Sequence, residues 1–359
     1  MLRNRTISYD TTLIEALKKM DYLDKKLLIV LNNSKFAGLI SSGDIQRAVI
    51  QNKSLDTKVI DVIRMNIRIA TPNDEFDTIK KMMFDFRMEL CPVVTLENEI
   101  IDVYFWEDIF VGEKQQPKNQ FDLPVVIMAG GIGSRLRPLT NVLPKPLIPI
   151  GDKTIIEKIF EKFNLHGCAH FYISVNYKGE LIEYYLKKQD LPYHLIFFSE
   201  DKPMGTAGSL SLLKGTINQT FFVSNCDIII DQDYSEILDY HYSNKNEITI
   251  VAVLKHFPIA YGTIESGENG KLNKLIEKPE LTFKINSGMY ILEPHLIDVI
   301  PQNEYFHITD LIEMVNKRGG KVGVFPVSEK SWIDIGEWSG YSRLLKKSYE
   351  EENVVNWAW

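Results

Sequence analysis

The stretch VVIMAGGIGSRLRPLTNVLPKPLIPIG, residues 125–151, gathers the residue types that handle phosphate. An apolar run ends at Ala129, and Gly130, Gly131 and Gly133 follow. Glycines permit a turn whose backbone comes close to a ligand, and successive N–H groups in such a turn form a concavity that attracts anions. Ser134 adds a hydroxyl, and Arg135 adds a permanently charged guanidinium with a rigid fork of donors. Lys145 stands between Pro144 and Pro146, which restrict the backbone that presents it. No Asp or Glu occurs from Gly130 to Gly151, so positive charge is concentrated there although the whole chain carries −7. The chemistry this suits is the gripping and neutralising of polyphosphate, with two anionic reactants brought together.

The spacing rules out two common phosphate loops. A dinucleotide fingerprint needs glycine where Leu136 stands, and a P-loop needs a Gly-Lys-Ser/Thr ending that is absent. A plain glycine turn would explain three glycines, but not Arg135, the Pro-Leu-Thr after it and Pro-Lys-Pro-Leu together.

Strands and helices must alternate to hold this loop. VVIM (125–128), FYISV (171–175), LIFF (195–198), FFV (221–223) and ITIVAV (248–253) read as short buried strands. Thr154 and Glu157 form a capping box ahead of Ile155, Ile156, Ile159, Phe160 and Phe163, which fall on one helical face. Such alternation implies an α/β fold with a mostly parallel sheet covered by helices, and ligands at the carboxyl ends of the strands.

The first 115 residues carry an internal repeat, about 1–58 and 59–115. KLLIVLNNSKFAGLISSGDI (26–45) resembles LCPVVTLENEIIDVYFWEDI (90–109). One copy is too small to bury its own apolar face, so the two should pack together. Residues 116–123, within a polar stretch beginning at Gly112, read as a linker, 124–350 as the second domain and 351–359 as a tail.

Composition bounds the remaining classes. The chain has 359 residues, 45% hydrophobic and 25% charged, and no apolar run approaches the ~18 residues that span a bilayer. Its first residues, MLRNRTISYD, contain no apolar signal segment. Cys91, Cys168 and Cys226 form no paired motif, which fits a reducing cytoplasm. The negative net charge argues against a nucleic-acid partner. His166 and His170 are four apart, but Gly167 between them disfavours a helical metal pair.

GGIGSRLRPLT followed by PKPL resembles the signature of the sugar-phosphate nucleotidyltransferases, and the likeness runs from about Val125 to Leu345. The resemblance implies a Rossmann-like, GT-A-type fold and transfer of a nucleotidyl group from a nucleoside triphosphate to a sugar 1-phosphate, releasing pyrophosphate. It places Ala129, Gly130, Gly131, Gly133 and Ser134 on the nucleotide and makes Arg135, Lys145 and Asp227 catalytic. It gives Mg²⁺ to Asp227 and Asp334, although Cys226 replaces the family's glycine in the N-G-D motif. Gly262, Glu277, Lys278 and Asn286 would hold the sugar phosphate, with Tyr261 and Ser287-Gly288 in the segments that flank them. Glu200, Gly205 and Thr206 lie in the base-reading segment. A carboxylate there offers two acceptors to the N1–H and 2-amino donors of guanine, whereas uracil or thymine wants a donor and an acceptor. Glu200 therefore favours GTP and a GDP-sugar such as GDP-glucosamine or GDP-mannose, with uridylyl or thymidylyl transfer as the alternative.

The N-terminal repeat resembles a tandem pair of cystathionine-β-synthase (CBS) modules, a Bateman module. That resemblance implies an adenine nucleotide at Ser41 and Asp44 in a G-x-x-S-x-x-D stretch beginning at Gly38, and association into a homo-oligomer. The second copy keeps Asp108 but has Asp102 and Phe105 in place of the glycine and hydroxyl. A purely structural module, or a non-catalytic nucleotide sensor, are the readings that compete.

Overall fold

The computed structural model describes residues 4–64, 67–110, 119–200 and 202–355. The chain folds as two compact units, the first comprising residues up to 116 and the second almost all that follows.

The first unit repeats one pattern twice. The first copy runs β1 (Thr6–Ser8), α1 (Leu13–Leu23), β2 (Leu27–Asn32), β3 (Lys35–Ser41) and α2 (Ser42–Ile50). The second runs α3 (Phe76–Asp85), β4 (Leu90–Val94), β5 (Ile100–Phe105) and α4 (Trp106–Ile109). In each, an antiparallel hairpin is joined by a parallel partner, β1 on β2 and a bridge from Ala70 to Val93. Thr12 and Glu15 cap α1 reciprocally, and Leu13, Ala16, Leu17 and Met20 are its buried face. Ile29 and Leu39 of one copy share a core with Leu90, Val103 and Phe105 of the other. Arg5 crosses the same boundary. It is buried beside the Phe105 ring and donates to Glu89 at 2.8 Å and to Glu107 at 3.0 Å.

The second unit contains β6 (Val125–Met128), α5 (Leu139–Val142), β7 (Pro149–Ile150), β8 (Lys153–Thr154), α6 (Ile155–Asn164), β9 (His170–Val175), α7 (Gly179–Lys188) and β10 (His194–Ser199). It continues through β11 (Phe221–Asn225), β12 (Ile228–Ile230), α8 (Tyr234–Asn244), β13 (Ile248–Pro258), β14 (Thr263–Ser266), β15 (Leu272–Ile276) and β16 (Glu280–Leu292). The last elements are α9 (Leu296–Val299), α10 (Ile308–Lys317), β17 (Val322–Ser328), β18 (Trp332–Asp334) and α11 (Trp338–Val355). The central sheet has seven strands in the order β10-β9-β6-β11-β16-β13-β17. Strands β10, β9, β6 and β11 are parallel, and β16 and β13 continue the sheet antiparallel. The five strands expected from the sequence are all present. The glycine loop leaves the end of β6, in the middle of the sheet, as the carboxyl-end rule requires.

Two boundaries differ from the sequence reading. Within the expected linker, Phe121 and Leu123 are packed, while Asn119, Gln120 and Asp122 are exposed. Phe121 stacks on Phe222 and His166 and donates its N–H to the His166 carbonyl at 2.6 Å, and Leu123 is buried. The rest of that stretch, 112–118, lies outside the described residues. Helix α11 runs on to Val355, past the expected boundary at 350, and residues 356–359 of the tail lie outside the described residues. Among the described residues no helix is long and apolar enough to cross a membrane.

Candidate active site

The glycine loop is shaped by close contacts at two of its three glycines. A Cβ on Gly130 would lie 3.1 Å from Cβ of Asn176 and 3.8 Å from Oε1 of Glu200. Gly133 has φ +70°, and a Cβ there would meet Thr140 at 2.9 Å and Lys145 at 3.2 Å. Gly131 faces open space. Ala129 is buried and donates to the Ser174 carbonyl at 2.9 Å, which anchors the loop's start on β9. Ser134 and Arg135 open a short 3₁₀ turn and are exposed. Thr140 closes the loop by donating its hydroxyl to the Gly133 carbonyl at 2.9 Å.

Lys145, Asp227 and Asp334 converge. The short ladder of β12 on β18 pairs Ile228 with Asp334, and Ile335 donates to the Asp227 carbonyl at 2.8 Å. That brings residues 107 positions apart in sequence to one point, marked by Gly336. A Cβ on Gly336 would lie 2.6 Å from Nζ of Lys145, 2.7 Å from Oδ1 of Asp334 and 2.8 Å from Oδ2 of Asp227. Lys145 is buried and forms an ion pair with Asp227. Asp334 accepts from the Gly336 N–H at 2.7 Å. Burial, and then the Asp227 charge, push its carboxyl above the usual aspartate range. Arg135 lies 3.7 Å from Asp334 and 3.2 Å from Glu337, a residue the sequence reading passed over although it directly follows the Asp-Ile-Gly motif. Cys226 is buried and its thiol is pushed up to about 12 by burial, so it packs and stays a thiol.

Two carboxylates held together against their own repulsion suit a hard divalent cation. Among the described residues no three acidic, histidine or cysteine side chains form a closed cage. A magnesium-type ion needs none, because it binds through one or two carboxylates with substrate phosphates and water completing its shell. The residues present therefore fit such an ion.

Beside this centre lies the segment expected to read the base. The Glu200 carboxylate accepts from the Ser174 hydroxyl at 3.2 Å and from the Met204 N–H at 2.9 Å, and Asn176 donates to its carbonyl at 3.1 Å. Each carboxylate oxygen keeps a further lone pair. Gly205 has φ +81°, with its missing Cβ 2.6 Å from the Phe306 carbonyl oxygen. Thr206 accepts from the Ile308 N–H at 3.0 Å, at the start of α10. Both are thus tied to residues 306–308, a shaping role the sequence did not suggest. Asn176, which directly follows β9, belongs to no motif that the sequence marks.

The residues expected at the sugar fall into a second group. The missing Cβ of Gly262 lies 2.9 Å from Oε2 of Glu277, so these two meet. Glu277 and Lys278 are exposed, and Lys278 holds φ +44° immediately before Pro279. Asn286 donates to the Tyr290 hydroxyl at 2.7 Å and accepts from the Gly288 N–H at 3.1 Å. Gly288 in turn abuts Asn225, two residues before Asp227.

In the first unit Ser41 and Asp44 form a reciprocal cap on α2. Asp44 is buried, pairs with Arg47 and accepts from Nε of Arg64 at 2.6 Å, while Arg64 also donates to the Ser41 hydroxyl at 2.7 Å. The two residues expected at the adenine nucleotide are therefore already joined to each other, and Asp44 is joined to two arginines. His166 and His170 lie in separate settings. His166 is buried and accepts from the Tyr234 N–H at 3.3 Å, and His170 stacks on His194.

Comparison with known proteins agrees with this geometry. The nucleotidyl transferase family profile matches residues 124–351, and the chain belongs to that family. The CBS domain profile matches residues 1–51. The chain is 38% identical over 182 residues to the mannose-1-phosphate guanylyltransferase catalytic subunit beta of Drosophila melanogaster, covering 49% of each chain. It is 36% identical over 184 residues to the mannose-1-phosphate guanyltransferase of Saccharomyces cerevisiae, covering 49% of this chain and 51% of that one. The chain thus spans about half the length of the curated relatives it matches. The crystal structure of HddC from Yersinia pseudotuberculosis superposes with TM-score 0.50 at 26% identity, over 63% of this chain and 99% of that one.

Proposed function

We propose that the second unit transfers GMP from GTP to a sugar 1-phosphate, giving a GDP-sugar and pyrophosphate, with GDP-mannose and GDP-glucosamine as the candidate products. The convergence of Lys145, Asp227 and Asp334 on Gly336, beside the glycine loop and Arg135, carries the reading. Two guanylyltransferases among its relatives, together with a carboxylate at Glu200, favour guanine.

An oxygen of the sugar phosphate attacks the α-phosphorus, and the bond from that phosphorus to the pyrophosphate oxygen breaks. The attacking monoester already carries close to two negative charges near pH 7, since its second pKa is ~6, so no general base is needed. The obstacle is repulsion between anions. Mg²⁺ held by Asp227 and Asp334 would offset the charge that builds on the phosphates. The chain's own part is to position. Lys145 is fixed by its flanking prolines and by Asp227, Arg135 reaches the triphosphate from the exposed turn, and the loop N–H groups at the open face of Gly131 face the phosphates. Preorganised donors of this kind act where charge develops. Holding both reactants in line supplies up to ~7–11 kcal/mol more. The first unit is read as a nucleotide-responsive module for an adenine nucleotide at Asp44, which must displace Arg64 to reach the carboxylate.

The test is turnover of GTP, UTP, dTTP, CTP and ATP against mannose, glucosamine, glucose and heptose 1-phosphates, read as pyrophosphate and nucleotide sugar. A GDP-sugar from GTP alone is expected. A product with UTP or dTTP instead overturns the guanine assignment, and no product with any pair overturns the activity.

A further inference from the structure

Arg135 approaches two carboxylates at once. Its Nη1 is 3.2 Å from Oε1 of Glu337 and 3.7 Å from Oδ2 of Asp334. Asp334 belongs to the centre described above, but nothing in the reaction uses Glu337. Its position is nonetheless fixed. It directly follows Gly336, which is wedged among Lys145, Asp227 and Asp334, and its carbonyl accepts from the Tyr341 N–H at 3.0 Å in the first turn of α11. The backbone on both sides of Glu337 is therefore held, and its side chain meets the guanidinium expected to grip the triphosphate.

We propose that Glu337 competes with phosphate for Arg135, and so sets how tightly the site holds both the nucleoside triphosphate and the pyrophosphate that leaves. This rests on the reading of the site as one for a nucleoside triphosphate. Glu337 occupies the Nη1 donors of Arg135, and a phosphate approaching that edge of the guanidinium competes with the carboxylate for them. Arg135 and Glu337 are 58% and 57% exposed, so their pair is weak. Exposed pairs contribute ~0.2–1 kcal/mol, which converts to a factor of up to about five in affinity. A weak competitor suits a step that must bind one polyphosphate and release another. Arg135 passes from Glu337 to the triphosphate on binding and back to Glu337 as pyrophosphate departs, with no bond made or broken.

The experiment is calorimetric titration of the full chain with GTP, and separately with pyrophosphate, in Mg²⁺ and without any sugar phosphate, so that nothing turns over. Glu337→Gln is expected to bind both about two- to fivefold more tightly, while Glu337→Asp, which keeps the charge, stays near the wild type. With Arg135→Ala already present, adding Glu337→Gln should change nothing, because the competition needs both partners. Unchanged affinity in Glu337→Gln overturns the proposal. Weaker binding overturns it too, since Glu337 would then be aiming Arg135 at the phosphates. If Arg135→Ala alone binds GTP as well as the wild type, the failure belongs to the reading of the site and not to Glu337.

Discussion

Replacing Gly336 by alanine adds one methyl at the point where three charged side chains meet. That methyl would lie 2.6, 2.7 and 2.8 Å from Lys145, Asp334 and Asp227, whereas ordinary contact begins at 3.4 Å. Each group must retreat by about 0.6–0.8 Å. All three contacts are the far ends of side chains, which can give way, so folding should survive with a loss of no more than ~1 kcal/mol, typical of a mild substitution. The chemistry should not tolerate the same movement. A displacement of ~1 Å in a catalytic constellation costs about a hundredfold in rate. The expected result is a folded variant whose kcat is lower by roughly 30- to 100-fold, with a thermal midpoint close to that of the wild type. Steady-state pyrophosphate release and a thermal melt on the same preparation test this. A well-folded Gly336→Ala protein retaining a third or more of wild-type kcat would refute the claim that Lys145, Asp227 and Asp334 work at this point.

Other consequences are also measurable. Glu200→Gln should lower kcat/KM for GTP by about 10- to 100-fold, the worth of one charge-assisted hydrogen bond, while UTP use holds or improves; equal losses with both nucleotides would make Glu200 a loop brace only. Gly205→Ala forces a side chain into a left-handed backbone against the Phe306 carbonyl and should cost ~1–3 kcal/mol, read as a lowered melting midpoint; a neutral result would mean that the 306–308 segment is free to move. Burial raises the Asp44 carboxyl, but hydrogen bonds from Arg64 and Ser41 outweigh it and leave the group below its ordinary range. A depressed folded pKa stabilises above the unfolded value of ~3.9 and loses that effect as pH falls through the folded value. Amide exchange over residues 38–50 should therefore accelerate below about pH 4, and Arg64→Met, which removes the main group that lowers the Asp44 carboxyl, should shrink that acceleration; an equal acid response in the variant would remove Arg64 from the account.

What the sequence disclosed tracks how local the cause is. The five expected strands are short, β-rich and bounded by polar turns, and both capping boxes are formed because each needs only four consecutive residues. β16 is not among the strands expected from the sequence, since polar Asn286-Ser287 and Gly288 interrupt its apolar pattern. In the fold it continues a strand of 13 residues, with Gly288 at φ +87° making room for Asn225. Arg135, Lys145, Asp227 and Asp334 are marked in the sequence by their motifs, and the fold brings the four side chains together. The ion pairs that join them were not legible. Lys145 meets Asp227 from 82 positions away, and Asp334 joins them through the β12–β18 ladder, a pairing between segments some hundred residues apart with no local signature. For the same reason the motif around Asp44 does not disclose its second arginine, Arg64, which arrives from outside it.

On the proposed reading, these ion pairs also bear on how a chain of net charge −7 would bind two polyanions. Asp227, Asp334 and Glu337 oppose Lys145 and Arg135, so the five side chains sum to one negative charge rather than to a surplus of positive charge. Lysine and arginine are each held by a carboxylate, and phosphate must win them from it. A site built only of free cations would attract the triphosphate more strongly, but it would hold pyrophosphate as strongly and slow its release. With cations and carboxylates nearly balanced, tight binding requires a divalent ion arriving with the nucleotide, and its affinity is lost again when the product separates. The arrangement therefore predicts that GTP binds weakly in chelator. It also predicts that adding Mg²⁺ strengthens GTP binding far less in Asp334→Asn than in the wild type. Equal strengthening in both proteins, followed by calorimetry, would show that the ion is held by the phosphates alone and that Asp334 serves only to position Arg135.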